Sequence, residues 1–98
     1  MIIRFVKMTF QDDKVAEFES VFYQTRPGIL NFKGCNNVNL YADAKSKNVY
    51  FTISEWDSEE DLDAYRSSDF FRKTWSAVKP LFCSRAEAWS LAPRPNDE

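Results

Sequence analysis

The period at which apolar residues recur changes along the chain, and each change predicts a new element. Residues 2–10 place β-branched and aromatic residues among alternating polar positions, which is typical of a β-strand. Over residues 13–26 the spacing becomes helical, with Phe18 and Phe22 on one apolar stripe. The pair Pro27-Gly28 is expected to end this helix.

Two more strands are expected over residues 35–42 and 49–56, and the polar stretch between them predicts a hairpin. Ser58, with Asp61 three residues later, resembles a capping box, so a second helical region should begin there. The pair Ser67-Ser68 is expected to divide that region in two. The middle of the chain therefore predicts a hairpin followed by two short helices.

The last third of the chain completes the set of elements. After the serine pair, apolar residues return at helical spacing, at Phe71, Trp75, Val78 and Phe82. Pro80 limits this helix, residues 86–92 predict a fourth strand, and the polar residues 93–98 are expected to form a flexible tail. Because 98 residues are too few for two cores, residues 1–92 should form one domain.

The order strand, helix, strand, strand, helix, strand predicts an α+β fold of the ferredoxin-like βαββαβ type. Its four-stranded antiparallel sheet would carry both helical regions on one face. The third strand does not alternate cleanly between apolar and charged residues, as a strand with one solvated face would: one side carries Val49, Phe51 and Ile53, the other Tyr50, Thr52, Ser54 and Trp56. A two-fold dimer that packs two sheets face to face would bury the second apolar surface.

Composition excludes several classes of function. A net charge of −2 with mixed signs argues against nucleic-acid binding, which needs a basic patch. No apolar run approaches the roughly 18 residues of a membrane span, and the chain opens on strand-like residues, so we expect a cytoplasmic protein. The two cysteines, Cys35 and Cys83, form no metal-binding motif and are expected to be reduced.

The chain contains no histidine. This absence excludes Ser-His-Asp and Cys-His catalysis and removes the commonest ligand of haem and metals. The carboxylates over residues 57–61 lie at a helix start, where capping and the helix dipole account for them. A metal site built only from carboxylates is the remaining alternative, and we do not expect one.

Two strand surfaces combine polar groups with aromatic surface, as small-molecule pockets do. One is the side of the third strand with Thr52, Ser54 and Trp56; the other is the side of the second strand with Cys35, Asn37, Asn39 and Tyr41. The alternative for each aromatic residue is ordinary packing in the core or in a subunit interface.

Two basic residues, Arg4 and Lys7, lie within the first predicted strand. One of them could hold an anionic substrate oxygen. The alternative is a side chain that reaches the sheet margin or pairs across a subunit interface.

A likeness to a known family rests on the opening strand and helix and, above all, on three short segments. These are the turn Lys33-Gly34-Cys35, the stretch SEWDSEE over residues 54–60, and LDAYRSSDFF over residues 62–71. Together they resemble the antibiotic biosynthesis monooxygenase family of the dimeric α/β-barrel superfamily, over nearly the whole chain. The resemblance implies oxidation of phenolic, anthrone-type or quinol substrates by molecular oxygen, without flavin, haem or metal.

The resemblance also implies a substrate pocket between sheet and helices in each subunit of a homodimer. Trp56 matches the family's pocket tryptophan, while Thr52 stands where some members have asparagine and Tyr65 where many have histidine. No catalytic base is assigned: Tyr65 and the Asp and Glu residues remain open. The residues expected to line the pocket are Trp56, Thr52, Tyr65, Trp75 and Phe22.

A second branch of the superfamily degrades haem with an asparagine, a tryptophan and a histidine. Val6, Tyr65 and Trp75 stand at those positions here, which disfavours haem degradation. The main prediction is a cofactor-independent monooxygenase acting on a small aromatic, quinol or polyketide-like molecule. The alternatives are a non-catalytic dimeric domain that binds a small ligand, for instance in a stress response, and a purely structural dimerisation module with a filled core.

Overall fold

A computed structural model describes residues 1–95 of the chain. Short 3-10 turns at Asp12–Lys14 and Lys79–Leu81 lie before the first helix and after the last. The strands and helices, in chain order, are β1 (Ile2–Thr9), α1 (Val15–Leu30), β2 (Cys35–Ala42), β3 (Val49–Trp56), α2 (Glu59–Arg66), α3 (Asp69–Val78) and β4 (Glu87–Leu91).

The strands form one antiparallel sheet in the order β2-β3-β1-β4. β2 and β3 make the hairpin that the sequence predicts, and β1 inserts between β3 and β4. The α+β, ferredoxin-like architecture is thereby confirmed, including the division of the second helical region into α2 and α3.

Side chains on one face of the sheet pack under the helices and form the core, because residues of a strand alternate between its two faces. From β1 this face takes Val6 and Met8, and from β3 it takes Tyr50, Ser54 and Trp56. The core also includes Phe18, Phe22 and Ile29 of α1, Leu62 of α2 and Val78 of α3.

The opposite face of the sheet, here called the open face, has no helix over it in the described chain. A row of paired residues, Ile53, Phe5 and Trp89, crosses its centre, with Leu91 at one edge and Tyr41 at the other. Trp89, Leu91 and Tyr41 are 44%, 46% and 48% exposed, so large apolar side chains meet solvent across this face.

The prediction that Pro27-Gly28 ends the first helix is wrong, since α1 continues to Leu30 with Pro27 inside it. The apolar stripe of α1 continues past the proline to the buried Ile29, and this packing outweighs the lost backbone hydrogen bond. Gly28 allows close approach of α3: a Cβ there would lie 2.5 Å from the ring of Phe70.

Local signals place the remaining boundaries. Gly34 has a φ of +83°, which glycine adopts without strain, and it turns the chain into β2 beside Asp61. Ser58 and Ser68 cap α2 and α3, each accepting a backbone N–H bond 3.1 Å long through its side-chain oxygen.

The prediction that Cys35, Asn37, Asn39 and Tyr41 share one pocket-forming side of the second strand is also wrong. A β-bulge between Cys35 and Asn37 shifts the register. Asn37, Asn39 and Tyr41 consequently pair with residues of the open face, whereas Val38 is buried under the helices.

The ends of the outer elements differ slightly from the prediction. Residue 10 lies outside β1 and forms an isolated bridge with Phe82, and β4 covers residues 87–91 instead of 86–92. In the expected tail, residues 93–95 have no regular secondary structure, and residues 96–98 lie outside the described residues.

Candidate functional site

A cavity of about 320 Å³ lies between the helix face of the sheet and the three helices, and it is partly open to solvent. Such a volume is at the lower end of the range of small-molecule pockets, which are roughly 300 to 1,000 Å³. Aromatic and aliphatic side chains form most of its wall, including Phe18, Phe22, Phe71 and Trp75.

Trp56 and Tyr65 close the inner end of the cavity. Their rings stack with centroids 5.1 Å apart and planes inclined at 26°, and Trp56 has no exposed surface. The indole Nε1 of Trp56 donates a 2.9 Å hydrogen bond to the hydroxyl oxygen of Ser54. Trp56 therefore shapes the cavity from behind Tyr65, with its one polar hydrogen already engaged.

Helix α3 supplies the wall opposite the sheet. Trp75 and Phe71 lie one helical turn apart and stack with an interplanar angle of 8° and centroids 5.9 Å apart. Trp75 also meets Phe82 edge to face. These contacts fix the orientation of the aromatic wall, while Trp75 remains only half-buried.

The floor of the cavity is the sheet, and its polar groups lie in one region. Thr52 and Ser54 both line it, because they are two residues apart on the same face of β3. Arg4 on β1 is paired with both Ser54 and Ser90, and its Nη1 donates a 2.9 Å hydrogen bond to the Ser90 hydroxyl. A polar row, Ser54–Arg4–Ser90, therefore crosses the sheet beside the Trp56 end.

A second arginine, Arg66, also lines the cavity. Arg66 was not among the residues predicted from the sequence, although Leu62, Tyr65 and Arg66 have the spacing of one helix face. Burial, followed by the positive charge of Arg66, lowers the pKa of Arg4, while Asp63 acts in the opposite direction.

Tyr65 carries a hydroxyl at the cavity whose pKa is raised to about 12, chiefly by burial and secondarily by the nearby Cys35. Burial also raises the pKa of the Cys35 thiol. Both groups therefore hold their protons at neutral pH. Tyr65 is a hydrogen-bond donor under these conditions rather than a base.

Among residues 1–95, the lining of the cavity contains no Asp or Glu side chain. The same part of the chain holds no group of three or more Cys, Asp or Glu side chains arranged around a possible metal position. The ionisable groups of the lining are Arg4, Tyr65 and Arg66, so its fixed charge at neutral pH is positive.

The structure brings the five sequence-predicted lining residues to this one cavity: Trp56, Thr52, Tyr65, Trp75 and Phe22. Of the two basic residues considered in the first strand, Arg4 lines the cavity, whereas Lys7 pairs with Phe51 and Glu87 on the open face. Cys35 packs against the core beside Trp56 without lining the cavity.

None of the helices formed by residues 1–95 has the length and apolar character needed to cross a membrane. A search among curated proteins found no match to the chain.

Solved structures with the same fold were found by superposition. An antibiotic biosynthesis monooxygenase superposes with a TM-score of 0.89 at 13% identity, covering 97% of this chain and 100% of its own. A conserved protein from Methanosarcina mazei Go1 gives 0.89 at 22% identity, with 96% and 94% covered. A Mycobacterium tuberculosis protein gives 0.88 at 16% identity, with 99% and 98% covered. At these identities the likeness establishes the fold.

Membership of a family follows from the sequence match. The family model described as antibiotic biosynthesis monooxygenase matches residues 1–76, from β1 into α3. All five predicted lining residues lie within the matched range, and Trp75 is near the C-terminal end of that range. The resemblance seen in the sequence is confirmed, and the chain belongs to the antibiotic biosynthesis monooxygenase family.

Proposed function

We propose that the protein oxidises a small electron-rich aromatic molecule, such as a phenol, hydroquinone or anthrone, with molecular oxygen in the cavity under α1 and α3. One observation carries the proposal: the cavity has aromatic walls and places the hydroxyls of Thr52 and Ser54 on its floor. Family membership supports the same chemistry.

The proposed reaction requires little from the protein beyond binding. An electron-rich aromatic anion can itself reduce oxygen, so the site has to hold that anion, orient it and exclude water. Phe71 and Trp75 offer stacking surface for a ring, and the floor hydroxyls offer hydrogen bonds to substrate oxygens. No cofactor is part of this proposal.

The proton of the substrate needs a separate route, because neither Asp nor Glu lines the cavity in the described chain. Tyr65, with its raised pKa, holds its proton. We infer that the substrate loses its proton to water and is bound as the anion, with Tyr65 donating a hydrogen bond to it. Substrates that ionise readily should therefore react fastest.

Oxygen consumption by purified, metal-stripped protein tests this function with a panel of anthrones and hydroquinones. Ala88→Trp is the informative variant, since Ala88 lines the cavity from the exposed edge strand β4 and a larger side chain would narrow it. Ala77→Trp, at an exposed position of α3 outside the lining, is the matched control. We expect uptake above a protein-free blank that falls with Ala88→Trp and persists with Ala77→Trp.

A second function is favoured by one observation, the lack of a carboxylate or imidazole base in the lining of the described cavity. In this alternative the protein binds a small aromatic ligand without converting it. A ligand would then raise the melting temperature with no oxygen uptake. No uptake with any member of the panel, from folded protein, would select this alternative.

We also propose that the protein is a homodimer that buries the open face. Support comes from the apolar row Ile53, Phe5 and Trp89, which is too large and continuous for a typical solvated surface. Sedimentation analysis should give a dimer, and Ile53→Lys should shift it to monomer. Ala64→Lys, at an exposed position of α2, should leave the dimer intact.

A cytoplasmic location is part of the same proposal. Cys35 and Cys83 are free thiols, as is usual in a reducing compartment. Fractionation of cells that produce the protein tests this location: recovery with cytoplasmic markers is expected, and recovery from the medium would contradict it.

A further inference from the structure

We propose that the cavity recognises its ligand by an anionic oxygen, a carboxylate or phenolate, held between the guanidinium groups of Arg4 and Arg66. This inference rests on the proposed function, because it names the class of molecule that the same cavity takes. It goes further in assigning a specificity role to two residues outside the aromatic walls.

The charge of the cavity favours an anionic ligand. The whole chain has a net charge of −2, yet the ionisable lining groups are two arginines and one protonated tyrosine. Because Tyr65 is neutral, the cavity carries a local charge opposite to that of the whole protein. Such a field attracts anions and disfavours cations.

Both guanidinium groups have N–H groups that could donate hydrogen bonds to a ligand. Within residues 1–95, neither arginine lies within ion-pair distance of a carboxylate. Arg4 donates one hydrogen bond, to Ser90, out of the five N–H groups of a guanidinium. Asp63 is the acidic residue whose charge most affects Arg4, and one carboxylate does not balance two arginines.

The position of the arginines relative to the apolar wall supports the same assignment. Arg4 is half-buried in the polar row Ser54–Arg4–Ser90, while Val6 and Met8, further along the same strand face, continue the floor with apolar groups. A ligand with an acidic group at one end and rings at the other matches this division. Burial and the charge of Arg66 both disfavour the charged form of Arg4, and an anion bound there would offset both effects.

Paired probes that differ mainly in charge test the inference. Calorimetry at low salt would compare naphthalene-2-carboxylate with naphthalene-2-carboxamide on the full-length protein. A charge-assisted hydrogen bond stabilises a complex enough that the carboxylate should bind about tenfold or more tightly. This preference should shrink as salt is added, because Arg66 is exposed to solvent.

Variants assign the preference to the arginines. Arg4→Gln and Arg66→Gln should each remove most of the preference for carboxylate over carboxamide, and Arg66→Lys should retain part of that preference. Lys73→Gln, at an exposed position of α3 outside the lining, removes one positive charge as the matched control and should leave it unchanged. Because Arg66 is exposed, its variants should fold even where Arg4→Gln does not.

A nitrophenol, whose phenolate absorbs visible light, separates the two kinds of anion. Binding is expected to lower the apparent pKa of the nitrophenol hydroxyl, and Arg66→Gln should abolish that shift. A preference for carboxylate over carboxamide without a shift of the nitrophenol pKa would assign the site to carboxylates. Equal affinity for carboxylate and carboxamide, or a preference insensitive to both arginines, would overturn the inference while leaving an aromatic-binding cavity. Binding of neither probe would overturn the inference and count against the proposed function as well.

Discussion

Replacing Trp56 by alanine should destabilise the protein severely. Trp56 has no exposed surface, stacks on Tyr65 and donates a hydrogen bond to Ser54. Truncating a buried tryptophan to alanine typically costs about 3 to 5 kcal/mol, because a cavity remains where the ring was. A domain of this size has a total free energy of unfolding of roughly 5 to 15 kcal/mol, so Trp56→Ala would remove a large fraction of it.

Urea denaturation measures this loss, and one fixed protein concentration is used because the stability of the proposed dimer would depend on concentration. Trp56→Phe keeps a ring in place and should cost less, about 1 to 3 kcal/mol, which includes the unpaired Ser54 hydroxyl. Tyr23→Ala is the control, because Tyr23 is 61% exposed, and it should change the free energy by less than about 1 kcal/mol. A Trp56→Ala protein as stable as the parent would refute the placement of this ring in the core.

Three further predictions concern local contacts. Ser68→Ala should lower the free energy of unfolding by about 1 kcal/mol through loss of the α3 cap, whereas the exposed Ser67→Ala should have little effect in the same denaturation experiment. Gly28→Ala should lower the melting temperature despite alanine's better helix propensity, because its Cβ would meet Phe70; an unchanged or higher value would contradict that close packing. The pKa of Tyr65 is raised to about 12 in the folded protein, whereas a tyrosine in the unfolded chain ionises near its usual value of about 10. The unfolded chain therefore loses this proton first, and the free energy of unfolding should fall as pH rises from about 10 to 12. Tyr65→Phe should make this fall less steep, and an equally steep fall would argue against the raised pKa.

The order of the elements predicted the fold, and the pattern of β3 predicted part of the site. Its strict alternation assigns Thr52, Ser54 and Trp56 to one face, and the structure places that face under the helices. Alternation alone does not say which face the helices cover. The side with Thr52, Ser54 and Trp56 was predicted to be a pocket surface from its polar and aromatic groups, and tertiary packing places the helices over that side.

The predicted end of the first helix and the predicted facing of the second strand were wrong because neither is determined by the spacing of apolar residues alone. Pro27 predicts a helix end on local grounds, but the stripe that continues to Ile29 and the close approach at Gly28 keep α1 helical. The bulge before Asn37 inserts one residue, so Asn37 and the alternate residues after it lie on the face of the sheet opposite to Cys35. A strict alternation of residues along the strand does not predict this change.

Of the two arginines at the site, only Arg4 was identified as a candidate from the sequence. Arg4 was noticeable because a basic residue is unusual inside a strand covered on both faces. Arg66 looks like an ordinary solvated residue at the end of a helix, where a positive charge suits the helix dipole. Its relation to Arg4 depends on how α2 packs over β1 and β3, which local sequence does not specify.

The central claim is that the cavity between the helices and the sheet is the ligand site. An NMR titration of the isotope-labelled protein with a hydroquinone, without oxygen so that nothing is converted, tests it most directly. The account predicts shifts of the Trp75 indole N–H and of the Thr52 and Arg66 amides. Shifts confined to Tyr41 and Trp89 on the open face would contradict it.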